Sequence, residues 1–140
     1  MSKKLSGSWA VYVGLQKIGR LSTVDETGTP HTTPVFYVLM DGEIYVGTQR
    51  TRKKFRNIQR NPKVCFTIDT SEPPYKGIVI QGTAEVVEDE AIHNRFREAL
   101  IYRYYGHPDN PGWQYIQSLG APVLLRIKAE RIFHWDLSGS

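Results

Sequence analysis

Short apolar runs, punctuated by glycine and proline, make up most of this chain, and their period changes along it. Residues 9–17 fit a short helix capped by Ser8, with Trp9 and Val13 on one side. Residues 20–24 read as a strand, followed by a turn with Gly28 and Pro30 where a hairpin needs them. Residues 31–40 form a second strand whose run 35–40 is apolar at every position, which predicts burial on both faces. Asp41-Gly42 is a two-residue hairpin turn, and 43–48 a third strand.

The period then changes. Phe55 and Ile58, three apart, predict a helix over 52–60, ended by Asn61-Pro62. Alternation of Val64, Phe66 and Ile68 gives a fourth strand, and 76–87 a long fifth one with a bulge or bend at Gly82. On it, Ile78, Ile80, Ala84 and Val86 face one way and Val87 the other. Asp89 caps a helix running to Tyr105 and stopped by Gly106; its stripe is Ile92, Phe96, Ala99 and Leu100. Asn110-Pro111 opens another helix carrying Trp113 and Ile116, closed by Gly120. Residues 123–127 and 132–135 complete a sixth strand with a bulge near Glu130. The order β-β-β-α-β-β-α-α-β lacks the alternation of a doubly wound sheet. It predicts a mainly β protein, a six-stranded antiparallel barrel with helices packed outside.

Composition narrows the class. The 140 residues, 40% hydrophobic and 23% charged, suit one globular domain over 1–140 and exclude a disordered chain. No apolar run approaches the roughly 20 residues of a membrane span. The first residues hold two lysines with no apolar stretch behind them, unlike a secretory signal. Cys65, the single cysteine, reads as a reduced core residue of a cytoplasmic protein. The four histidines are scattered without metal-ligand spacing, so no metal site is expected.

The formal charge of +4 is unevenly placed. Arg50, Arg52, Lys53, Lys54, Arg56, Arg60 and Lys63 lie in one stretch without an acid, and the rest of the chain is net negative. With Thr51 as N-cap, Arg52, Lys53 and Lys54 fill a helical first turn, where each cation is disfavoured by about 0.3–1 kcal/mol. An anion held by the helix N–H groups, the Thr48 and Thr51 hydroxyls, Arg52 and Lys53 repairs that cost, and phosphate fits this donor set. Three other readings share the stripe. It is a solvated face, a track for single-stranded nucleic acid with Phe55, Tyr45 or Tyr37 as stacking platforms, or a contact for an anionic membrane. No RNP-like, KH-like or zinc-finger pattern supports nucleic acid, and no glycine-rich phosphate loop is present.

Three segments in register resemble the pyridoxamine 5′-phosphate oxidase-like flavin-binding split barrels. They are GRLSTVDETGTPHTTPVF at 19–36; IYVGT at 44–48 with TRK at 51–53 and NPKV at 61–64; and GIVIQGTAE at 77–85. The resemblance implies a homodimer with two flavin sites at the interface. It places Thr33, Pro34, Val35 and Phe36 along the isoalloxazine and Val46, Gly47 and Thr48 beside the ribityl chain. Thr51, Arg52 and Lys53 then hold the 5′-phosphate, and Trp135 approaches the flavin from the last strand. True pyridoxamine-phosphate oxidases carry a lysine where this chain has Val38 and a glutamine where it has Gly77, and the C-terminal arginine and histidine have no equivalent. The resemblance therefore points to the smaller relatives, oxidoreductases that use FMN, or alternatively the deazaflavin coenzyme F-420, on a small organic substrate. A flavin- or anion-binding module without turnover is the remaining alternative.

Overall fold

A computed structural model describes residues 2–137. Its strands are β1 (Gly19–Val24), β2 (Pro30–Val35), β3 (Val38–Met40), β4 (Glu43–Thr48), β5 (Lys63–Asp69), β6 (Lys76–Val87) and β7 (Val123–Asp136). The helices are α1 (Gly7–Leu15), α2 (Lys53–Arg60), α3 (Glu90–Leu100) and α4 (Pro111–Ser118), and a π-helical turn, Ile101–Tyr105, extends α3. All strand pairs are antiparallel, in the order β2-β1-β5-β6-β7-β4-β3. β2 and β3 occupy the two edges, yet only Phe36 and Tyr37 separate them in the chain. Three peptide steps span at most about 11 Å, so the edges meet and the sheet curls into a split barrel.

The expected single strand over 31–40 is thus two strands, which makes seven where six were expected. Tyr37 explains the break. Its side chain is fully buried, and its hydroxyl reaches the carbonyl oxygens of Val13 (2.5 Å) and Gln16 (3.0 Å) at the end of α1. Burial pushes its phenol well above the ordinary tyrosine range. Phe36, by contrast, is 42% exposed, so burial on both faces fails there. The Arg103 guanidinium takes the Gly14 and Gln16 carbonyls as well. These partners stop α1 at Leu15, two residues short of expectation. Its N-cap is Ser6 rather than Ser8.

Inside the barrel, Tyr12 and Val13 of α1 pack with Leu21, Val46, Phe66, Ile80 and Leu125. Full burial of such aliphatic side chains contributes about 1.5–3 kcal/mol each. On the outer face, Phe96 of α3 packs with Val38, Met40, Tyr45, Val87 and Leu124, so Val87 does face away from the barrel core. Asp89 caps α3 by accepting the Ile92 N–H (3.1 Å), and Asn110 caps α4 through the Gly112 N–H (2.8 Å). The register of β6 against β7 shifts between Gln81↔Arg131 and Gly82↔Ala129, which leaves Glu130 as the extra residue. The expected bend at Gly82 and bulge near Glu130 are therefore one feature, and β7 runs through it unbroken. No helix among the described residues is long and apolar enough to cross a membrane.

α2 seats Phe55 and Ile58 in the core as their spacing requires. Asn57 Nδ2 donates to Thr23 Oγ1 (3.0 Å), both buried, and so pins α2 to β1. The helix begins one residue later than expected. Arg52, not Thr51, is the N-cap, because the Arg52 N–H bonds the Gln49 carbonyl (3.1 Å) and its own carbonyl accepts from Phe55 and Arg56.

Candidate functional site

The ends of β2 and β4, the start of α2 and the helical segment from α3 to α4 enclose a cavity of about 840 Å³. That size lies within the roughly 300–1,000 Å³ of small-molecule and cofactor sites. β2 supplies Thr33, Pro34 and Val35, the β2–β3 link supplies Phe36, β4 supplies Gly47 and Thr48, and the α2 start supplies Arg52, Lys53 and Lys54. Eight of the eleven residues singled out from sequence therefore line one space. Three do not. Val46 lies in the barrel core with no exposure, since the residue between Tyr45 and Gly47 points inward on the alternating strand. Thr51, outside the helix, lines a smaller adjoining cavity of about 320 Å³ with Arg50 and Gly120. Trp135 lies at the far end of β7, across from Gly77, and is 38% exposed.

Two hydroxyls at this cavity break a general rule. Thr33 Oγ1 and Thr48 Oγ1 are buried, yet neither has a hydrogen-bond partner among the described residues. An unmet buried hydroxyl costs about 1–3 kcal/mol, so natural structures rarely keep one without a ligand or water to meet it. The cations are uneven too. Lys53 Nζ lies 3.8 Å from Asp25 Oδ2, and Arg60 bonds Glu26 at 3.0 Å, so two charges of the basic stretch are paired with the β1–β2 turn. Arg52 and Lys54 have no ion-pair partner among the described residues. Burial, and then the adjacent Arg52 charge, hold the Lys54 ammonium below the ordinary lysine range. An exposed Arg52 and a half-buried Lys54, like charges kept side by side, are the kind of arrangement that a bound anion relieves.

Lys54 was legible as a member of the basic triplet but was not singled out. Its sequence position cannot show that it turns into the cavity while Lys53 is drawn to Asp25. The helical wall was legible in part: Phe96, Leu100, Tyr105, Trp113 and Ile116 enclose the side facing β2 and β4, and the sequence offers Tyr105 and Trp113, in the aromatic cluster with Tyr102, Tyr104 and Tyr115, as helix packing or a pocket wall, but Phe96, Leu100 and Ile116 only as apolar helix stripes. The proposed stacking platforms for nucleic acid fail. Phe55, Tyr45 and Tyr37 are all buried, so no base can lie on them.

A family model described as pyridoxamine 5′-phosphate oxidase matches residues 10–136. The chain belongs to that family. A 5a,11a-dehydrotetracycline/5a,11a-dehydrooxytetracycline reductase of Streptomyces rimosus is 36% identical over 84 residues, which are 54% of this chain and 59% of the reductase. The chain thus spans less than two-thirds of that relative's length. Among solved structures, a conserved hypothetical protein of Mycobacterium tuberculosis superposes with a TM-score of 0.81 at 28% identity, covering 98% of this chain and 89% of the other. A putative pyridoxamine 5′-phosphate oxidase of Listeria innocua gives 0.66 at 26% identity, covering 85% and 88%. The fold is therefore that of the pyridoxamine 5′-phosphate oxidase-like split barrels. Within it, Val38 is packed into the outer core cluster, and Gly77 lies under the Trp135 ring, where a Cβ would come within 2.6 Å of the indole. Neither position can offer a polar group to the cavity.

Proposed function

We propose that this chain binds FMN in the cavity and acts as an FMN-dependent oxidoreductase on a small organic substrate. The observation that carries this reading is the pairing of two partnerless buried hydroxyls, on Thr33 and Thr48, with the uncompensated cations Arg52 and Lys54 at one end of the same space. The residues fit the group. Arg52 and Lys54 would hold the phosphate, Arg52 as a planar fork and Lys54 as a point charge. Thr48 and Thr33 would meet the ribityl hydroxyls and the ring edge, and the Thr33–Phe36 stretch would lie along the ring system. A bound flavin supplies hydride and electron transfer, while the protein positions it and excludes water. Phe96, Trp113 and Ile116 provide that exclusion on the helical side.

The working unit in this reading is a homodimer. Phe133 and Trp135 alternate along one face of β7 and are exposed, as is Leu137 just beyond it, while on the other face Trp9 of α1 stacks on His134 (4.5 Å). The exposed stripe suits burial against a second copy, which would bring Trp135 toward the partner's cavity rather than its own.

The deazaflavin coenzyme F-420 is the second reading. It also carries a phosphate, followed by a longer acidic tail, and the smaller cavity at Arg50 and Thr51 lies beside Arg52 where such a tail would continue. The visible spectrum and mass of the compound released on denaturation test both. FMN is expected, with a titration of the emptied protein favouring FMN over the deazaflavin. Release of the deazaflavin, or preference for it, selects the second reading, and uptake of neither defeats both.

A further inference from the structure

Counting charge around the cavity leaves one cation unused. Arg52, Lys53, Lys54 and Arg97 line it, and no carboxylate does among the described residues. Asp25 takes Lys53. A phosphate monoester carries a charge of about −1.5 to −2 at neutral pH, enough to match Arg52 and Lys54. Arg97 stands apart on α3, where no ion-pair partner among the described residues answers it; its Nη2 donates only to the neutral Asn94 Oδ1 (2.7 Å). The other α3 residues on the cavity, His93, Phe96 and Leu100, share its face at i, i+3 and i+7 spacing. His93 donates its Nε2–H to the Val87 carbonyl (2.7 Å). Arg97 is the one permanent charge on a wall that is apolar and aromatic but for His93 and Gln117. Across from it in sequence, α4 adds Trp113 and Ile116, and Tyr105 tilts against Trp113 with ring centroids 5.7 Å apart. Burial, reinforced by Tyr104, raises the Tyr105 phenol above its ordinary range, so it adds no negative charge.

Resting on the FMN reading above, we propose that this helical wall is the substrate subsite, and that it selects flat aromatic monoanions: Arg97 takes a carboxylate or enolate oxygen while Tyr105, backed by the buried Trp113, takes the ring. A neutral aromatic leaves Arg97 solvated and gains only the apolar part. A dianion or a cation finds no second partner.

The test uses the FMN-loaded protein and two probes of equal shape, 2-naphthoate and 2-naphthylmethanol, titrated calorimetrically. The wild type is expected to bind naphthoate about tenfold or more tightly than the alcohol, the scale of one charge-assisted hydrogen bond. Arg97→Gln should remove that preference and leave FMN affinity within about twofold, and Arg97→Lys should restore part of it. Equal binding of the two probes by the wild type overturns the proposal. So does an Arg97→Gln protein that keeps its preference, or one that loses FMN instead, which would assign Arg97 to the cofactor. If the wild type takes up no FMN, the FMN reading fails by itself, and the same titration on the protein as purified still decides the subsite by its dependence on Arg97.

Discussion

The ring of Phe36 lies flat on that of Tyr104, with centroids 4.0 Å apart and planes 6° from parallel. Phe36 is one of the two residues that join the barrel's opposite edges, and Tyr104 belongs to the π-helical turn. The Tyr104 hydroxyl accepts from the Tyr37 N–H (3.1 Å) and from Arg103 Nε (2.9 Å), and lies 2.9 Å from the Lys17 and Tyr37 carbonyl oxygens. One side chain therefore fixes the closure of the sheet, the end of α1 and the cavity-facing ring of Phe36. Tyr104→Phe keeps the stack and loses the polar contacts. It should lower unfolding free energy by about 1–3 kcal/mol, read from the urea midpoint, with Tyr104→Leu lower still. Equal stability of all three proteins would show the closure to be held elsewhere.

Thr48 separates stability from binding. Its hydroxyl is buried without a partner in the unliganded chain, so Thr48→Val removes an unmet polar group at nearly constant shape. The unliganded variant should be more stable than the wild type by about 1 kcal/mol in thermal or urea unfolding, while its FMN affinity falls. A variant that loses stability without the ligand would mean the hydroxyl is already satisfied.

At the β6–β7 bulge, backbone leaves no room for a side chain. A Cβ on Gly82 would lie 1.9 Å from the Lys128 carbonyl oxygen, which cannot move without breaking the ladder. Gly82→Ala should cost about 3 kcal/mol in chemical denaturation. Gly28, with φ of +82° but open space around it, is the control: Gly28→Ala should cost only about 1–2 kcal/mol.

Acid unfolding should report Asp25. Hydrogen bonds from the Thr27 hydroxyl and from the Thr29 and Thr27 N–H groups, with the Lys53 charge beyond them, hold its carboxyl at about 2. The folded value lies below the unfolded one, so the contribution is complete above the ordinary carboxylate range and is lost as pH falls from about 4 through about 2. Asp25→Asn should flatten the stability profile across that window and leave its shape above pH 5 unchanged, as followed by circular dichroism.

What was legible in the sequence was whatever a local rule encodes. Asp41-Gly42 needs positive φ at both turn residues, and both have it, at 54° and 76°. The run of cations at residues 52–54 was legible too, and all three side chains line the cavity. Long-range partners decided the rest. Nothing near Phe36 says that the strand must break so that Tyr37 can reach the end of α1. Nothing near Lys53 says that Asp25, in another hairpin, will take it while Lys54 keeps no ion-pair partner among the described residues. Phe96, Leu100 and Ile116 were hidden for the same reason, because an apolar stripe looks alike whether it faces a core or a cavity.

In the FMN reading, Arg52 and Lys54 hold the phosphate. FMN and riboflavin differ by that group alone, so parallel titrations by flavin fluorescence test it most directly. The wild type should bind FMN about a hundredfold more tightly than riboflavin, and the Arg52→Gln, Lys54→Gln double variant should bring the two within a few-fold. A wild type that binds riboflavin as tightly as FMN would contradict it.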